Sequence, residues 1–184
     1  MRILDRLPIL DRRTSEKFDG KYVTIFHDQI PVWVSIHLAG ESQPEANIPR
    51  IPALVDTGNN FDFSIQHRHL RDWAGIDPAL LPLLGDIAIN ERIVHCHQAS
   101  VWLYPNVPGK REIAHDKLPL RLRMKKGIAV YPRDAVPPGP RIPLLGVAAL
   151  LNNDLDFWLD PELRHVSVET RTWRRRMIRL LRRL

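Results

Sequence analysis

A chain of 184 residues is long enough for one domain with a sizeable core and too short for two large lobes. Its 44% hydrophobic and 26% charged content excludes an intrinsically disordered chain, and sixteen prolines against nine glycines argue against a helical bundle. The net charge of +6 belongs to the C-terminus: "RTWRRRMIRLLRRL" (171–184) holds seven arginines and no acid, and taking those seven from the 27 basic residues leaves 20 against 21 acidic, which excludes a basic groove across the body.

Residues 1–20 read as an N-terminal extension. "MRILDRLPILDRR" interrupts its apolar residues with Asp5, Arg6 and Pro8, too often for a signal-peptide core, and no later run is long enough to span a bilayer. Cys96 is the single cysteine, so no intrachain disulfide forms. The expected location is the cytoplasm.

The body, 21–170, reads as mostly β. Residues 22–38 are rich in β-branched and aromatic residues and form two strands broken at Pro31; 39–50 is turn-like; 51–56, "IPALVD", is a short apolar strand. Ser64 is placed to cap a short helix with Ile65, Leu70, Trp73 and Ala74 near one face and Gly75 as its stop. Two alternating runs about Asn90 and Glu91, within 86–104, predict a β-hairpin. A turn at 105–109 precedes an irregular stretch to 131 with a strand or two. Five prolines in 131–143 predict an extended surface connection. Residues 144–146 end a strand, 147–153 make one or two helical turns, and 155–169 fold back at Asp160-Pro161.

The chemistry concentrates at "LVDTG". Gly58 lets another backbone approach closely, Thr57 can hydrogen-bond to neighbouring backbone, and Asp56 is held at the end of a buried strand. One carboxylate cannot both activate a water and protonate a leaving group. Two in contact share a proton, because like charges that close cannot both ionise, and one is then a base while the other is an acid.

The order of these features resembles the retropepsin-like, retroviral-type aspartic proteases and their bacterial relatives. The resemblance rests on the strands leading into Asp56-Thr57-Gly58, the short helix at 64–74, a flap-like hairpin at 86–97, and Leu144-Leu145-Gly146 before a short helix and a final strand pair. It implies a closed β-barrel, an acid-protease half-lobe with short helices and one lobe per chain. It also implies a homodimer acting on a peptide or protein substrate, without a metal or cofactor. One Asp56 would activate a water against a peptide carbonyl while its symmetry mate protonates the carbonyl oxygen and then the leaving nitrogen. Thr57 would lock the two turns together, and the hairpin tip at Ile89, Asn90 and Glu91 would close over the substrate. The chain departs from the family at Asn59, where a small residue is usual, at the glycine-free tip around Glu91, and at Val147 and Ala148. A catalytically inactive dimerisation module of the same fold is the alternative these departures leave open.

Other polar residues read more plainly. Asp62, in "NNFDFS", reads as solvated or capping. His95 and His97 share one face of a strand with Cys96 on the other, so three ligands do not converge locally; side chains along a sheet are the plain reading, and a pairing of the two histidines with His115 or with a second chain stays open. His67 and His69 fall on a polar helix. In the tail, Trp173, Met177, Leu180, Leu181 and Leu184 make an apolar stripe on a basic amphipathic helix, suited to its own body, a dimer mate, an anionic membrane surface, nucleic acid or an acidic protein.

Overall fold

The computed structural model describes residues 1–18, 21–40, 47–89, 92–132 and 139–171. Within them the chain is mostly β. The first strand, β1 (Arg2–Pro8), is followed by the hairpin β2 (Thr14–Phe18) and β3 (Lys21–Ile25). Next come β4 (Pro31–His37), β5 (Ile51–Asp56), β6 (Phe63–Gln66) and helix α1 (His67–Asp72). The hairpin β7 (Leu83–Ile89) and β8 (Arg92–His97) follows, then β9 (Ser100–Leu103), β10 (Leu120–Leu122) and β11 (Ile128–Tyr131). The chain continues through β12 (Leu144–Gly146), α2 (Val147–Asn152), β13 (Leu155–Asp160) and β14 (His165–Thr170).

Nine of these strands form one sheet in the order β10-β9-β4-β5-β12-β6-β11-β8-β7. The sheet is open, which corrects the expected closed barrel. Closure needs the two edge strands to meet in register, and here the three-residue β10 and the hairpin strand β7 end the sheet on its two sides. The position of β12 organises the centre. It runs parallel to β5 and antiparallel to β6, so a strand from near the C-terminus is threaded between two that follow one another in sequence.

The core explains the strand pattern. Phe63, Ile65, Leu145 and Ile128 are fully buried and project from neighbouring strands to one face, each contributing about 1.5–3 kcal/mol relative to exposure. A second sheet, β1-β14-β13, closes over this core. The start of the chain belongs to this core: Ile3, Leu4, Leu7 and Leu10 are buried in it, and Arg2, Leu4, Leu7 and Pro8 pair with β14.

Helix α1 begins two residues later than expected. Ser64 belongs to β6, and the N-cap is Gln66 with no side-chain cap, because pairing with β12 and β11 holds Ser64 extended. The helix does stop at Gly75. Ala74 N–H bonds to the His69 carbonyl and Ile76 N–H to that of Leu70, around a glycine with φ +70°. No helix among the described residues is long and apolar enough to cross a membrane. The expected basic helix at 171–184 falls almost wholly outside the described residues.

Candidate active site

Strand β5 runs through the middle of the large sheet and delivers Asp56 at its C-terminal end, opposite Gly146 of β12. The side chain is half-buried, whereas Thr57 and Gly58 are exposed. Asp56 Oδ1 accepts the Gly58 N–H at 2.9 Å, and Asn59 N–H closes the turn onto the Asp56 carbonyl at 3.4 Å. The carboxylate is thus aimed by its own turn while remaining open to solvent on this chain.

Asn59 turns inward. Its Oδ1 accepts from Ser64 Oγ at 3.0 Å and Phe61 N–H at 3.3 Å, and its Nδ2 donates to the Leu144 carbonyl at 3.4 Å. It therefore ties the Asp-Thr-Gly turn to β12 and β6, work that an alanine in this place could not do. Gly146 is required by the same crossing. A Cβ there would fall within contact distance of the Phe61 and Asn59 carbonyl oxygens, with the former overlapping outright. Gly146 N–H donates to the Asp62 carbonyl at 3.0 Å, so the two motifs, some ninety residues apart, are locked by backbone as well as by packing.

Asp62 corrects the expectation of a solvated residue: it is 0% exposed. Its Oδ2 accepts from Lys126 N–H and its Oδ1 from Asn152 Nδ2, each at 3.0 Å. Both oxygens are occupied in holding the β5–β6 loop to α2 and to the turn before β11. The signal available in the sequence was the "FDF" alternation, an acid between two aromatic residues that both proved buried.

The hairpin forms as expected, with Ile89 opposite Arg92, while Asn90 and Glu91, named for its tip, lie outside the described residues. Register carries one face across the sheet. Leu144 lies opposite Leu54 and Ser64, Ser64 opposite Ala129, and Ala129 opposite Cys96. Residues two apart in a strand share a face, so Asp56 and Gly146 open on the side where Val94 and Cys96 project. On that side Phe61, Val94, Cys96 and Ala129 pack together, with Ile89 and Tyr131 against them. The underside of the hairpin is thereby linked through Phe61 to the loop that carries the Asp-Thr-Gly turn.

The remaining candidates have structural roles. Cys96 is 4% exposed, and burial, reinforced by the negative charge of Asp86, pushes its thiol above the ordinary range, away from nucleophilic chemistry. His95 Nδ1 bonds to Asp86 Oδ1 at 2.7 Å and His97 Nδ1 to the Leu81 carbonyl at 3.1 Å. Among the described residues no three His, Cys, Asp or Glu side chains converge as metal ligands. His69 is buried and stacked on Trp73 with ring centroids 4.0 Å apart, which corrects its placement on a polar face, while His67 is half-buried. Ser35 Oγ sits 2.8 Å from His37 Nε2 and 3.2 Å from Tyr104 Oη, but Ser35 and His37 are fully buried, so this serine–histidine contact is an internal tie without access to a substrate. The chain matches no family model, no curated protein and no solved structure.

Proposed function

We propose that the protein is a homodimeric aspartic endopeptidase of the retropepsin-like kind, acting on extended peptides. The observation that carries this reading is the β5-β12-β6 crossing, which sets Asp56 at the mouth of a glycine-lined turn and leaves the carboxylate open. Peptide hydrolysis needs a second carboxylate to share the proton. Asp62, the nearest acid in sequence, has both oxygens engaged elsewhere. In this reading, as the resemblance implies, the second carboxylate is Asp56 of another copy of the chain, and the exposed Thr57 and Gly58 would lie at that contact.

In this reading one Asp56 takes a proton from a water as it attacks the peptide carbonyl. The other gives its proton to the carbonyl oxygen, forming a gem-diol; as the C–N bond breaks, the first carboxyl hands the proton it took from water to the leaving nitrogen and a diol hydroxyl returns its proton to the second carboxylate. The hairpin β7–β8 covers the extended substrate and excludes water. The inward hydrogen bonds of Asn59 leave the carboxylate face free, so that departure from the family pattern is compatible with activity.

The test is cleavage of a peptide library at mildly acidic pH by the wild-type protein and by Asp56→Asn. The substitution is expected to lower kcat by about 10²–10⁴-fold or more, because it removes the acid–base pair, while leaving the thermal transition in place. Undiminished cleavage by Asp56→Asn would sink the proposal, as would a strictly monomeric yet active protein in sedimentation.

A further inference from the structure

A cavity of about 600 Å³ opens beside the same crossing. Its floor includes Leu54 and Leu144, which lie opposite one another, two residues before Asp56 and Gly146 respectively. Because residues two apart in a strand share a face, Leu54 and Leu144 lie on the same side of the sheet as Asp56 and Gly146, about 7 Å from them along the strands. Phe26 and Trp73 add apolar wall. Charge comes from Arg68 of α1 and Arg141 of the segment before β12, both exposed. Asp72, the lining's acid among the described residues, is engaged by Arg71 at 3.0 Å. Arg13 lies over the Phe26 ring at 5.6 Å and adds a further positive charge at this edge. The cavity thus combines an apolar lining with two exposed arginines.

We propose that this cavity is a carboxylate-selecting subsite. It takes a glutamate or aspartate side chain of an extended peptide close to the bond that is cut, since Leu54 and Leu144 lie on the same side of the sheet as Asp56. The aliphatic stem lies on Leu54 and Leu144, and the carboxylate meets Arg68 and Arg141 in charge-assisted hydrogen bonds. Arg68 and Arg141 are therefore specificity-determining residues. The inference rests on the protease reading above, since it names the substrate class of that site.

The experiment uses full-length protein and peptide pairs that differ by Glu against Gln at each position flanking the cleaved bond. Binding is read as fluorescence anisotropy of labelled peptides on Asp56→Asn protein, and kcat/KM on wild type. At one position the Glu peptide is expected to bind about tenfold tighter, a gap that shrinks with added salt. The double variant Arg68→Gln/Arg141→Gln should erase the gap with an unchanged unfolding midpoint, since both side chains are exposed. Arg141→Glu should shift the preference toward a Lys peptide. Equal binding of Glu and Gln peptides at every position overturns the proposal, as does a gap that persists in the double variant. Cleavage of both peptides at equal rates overturns the subsite while leaving the protease reading intact. An arginine-dependent binding gap with no cleavage by wild type supports the cavity as a carboxylate site and overturns the protease reading.

Discussion

The β5-β12-β6 crossing and the β7–β8 hairpin belong to one sheet, the first at its centre and the second at its edge, and are built on opposite principles. At the crossing a three-residue strand is flanked on both sides, and Asn59, Asp62 and Gly146 join loop, strand and helix through hydrogen bonds and close backbone contact. In the hairpin, β7 is an edge strand whose Leu83, Leu84 and Ile87 are exposed, and it is held mainly by pairing with β8. A group that must aim a carboxylate needs neighbours that over-determine its position, whereas a cover that must admit a substrate needs few contacts to give up. The two regions are thus expected to respond differently to substitution.

The largest effect is expected at Gly146. Gly146→Val forces a side chain against the Phe61 carbonyl and should cost about 3 kcal/mol, read as a shift of the denaturant midpoint, with cleavage lost in parallel. A near-neutral Gly146→Val would break the contrast at its centre. Asp62→Ala comes next, at about 2 kcal/mol, because it removes a fully buried carboxylate and leaves the part-buried Lys126 N–H and Asn152 amide without their acceptor.

In the hairpin the order of sensitivities reverses. Ile87→Ser and Ile93→Ser should each change stability by less than about 0.5 kcal/mol. Ile87, opposite Val94, faces the cleft side and Ile93 faces away. Only Ile87→Ser should then lower kcat/KM, by about tenfold, or roughly 1.4 kcal/mol of barrier. Equal losses for both would show that the hairpin acts through stability rather than as a cover.

The smallest effect lies outside both regions and serves as a control. Arg164 Nη2 meets Asp28 Oδ1 at 2.7 Å, and this hydrogen bond holds the Asp28 carboxyl below its usual value of 3.8. A depressed folded-state value stabilises above the unfolded value and is lost as pH falls through the folded one. Asp28→Asn should therefore lower the melting temperature slightly at neutral pH, with the difference from wild type beginning to shrink as pH falls toward the usual value of 3.8 and disappearing only once the folded-state carboxyl is itself protonated. Cleavage should be unchanged at every pH where both proteins are folded.

Much of this was legible in the chain. The apolar run ending at Asp56, the alternation about Asn90 and Glu91, the glycine stop at Gly75 and the final hairpin are local signals, and each forms where its pattern places it. Ser64 was misjudged because its capping propensity competes with two strand partners that only the fold supplies. Asp62 and His69 were misjudged for a related reason. A polar side chain reads as solvated until the groups that satisfy or cover it are known, and for Asp62 these come from residues 126 and 152.

Local periodicity and turn chemistry, both properties of a few consecutive residues, by themselves determined the mostly β character, the Asp56 turn and the apolar-apolar-glycine stretch at 144–146. Tertiary structure decided that β12 threads between β5 and β6, that the sheet stays open, that Asn59 faces inward, and that Arg68 and Arg141 share a cavity with Leu54. These are contacts between segments tens of residues apart. Their energies depend on burial and on hydrogen-bond partners that exist only once the chain has closed on itself.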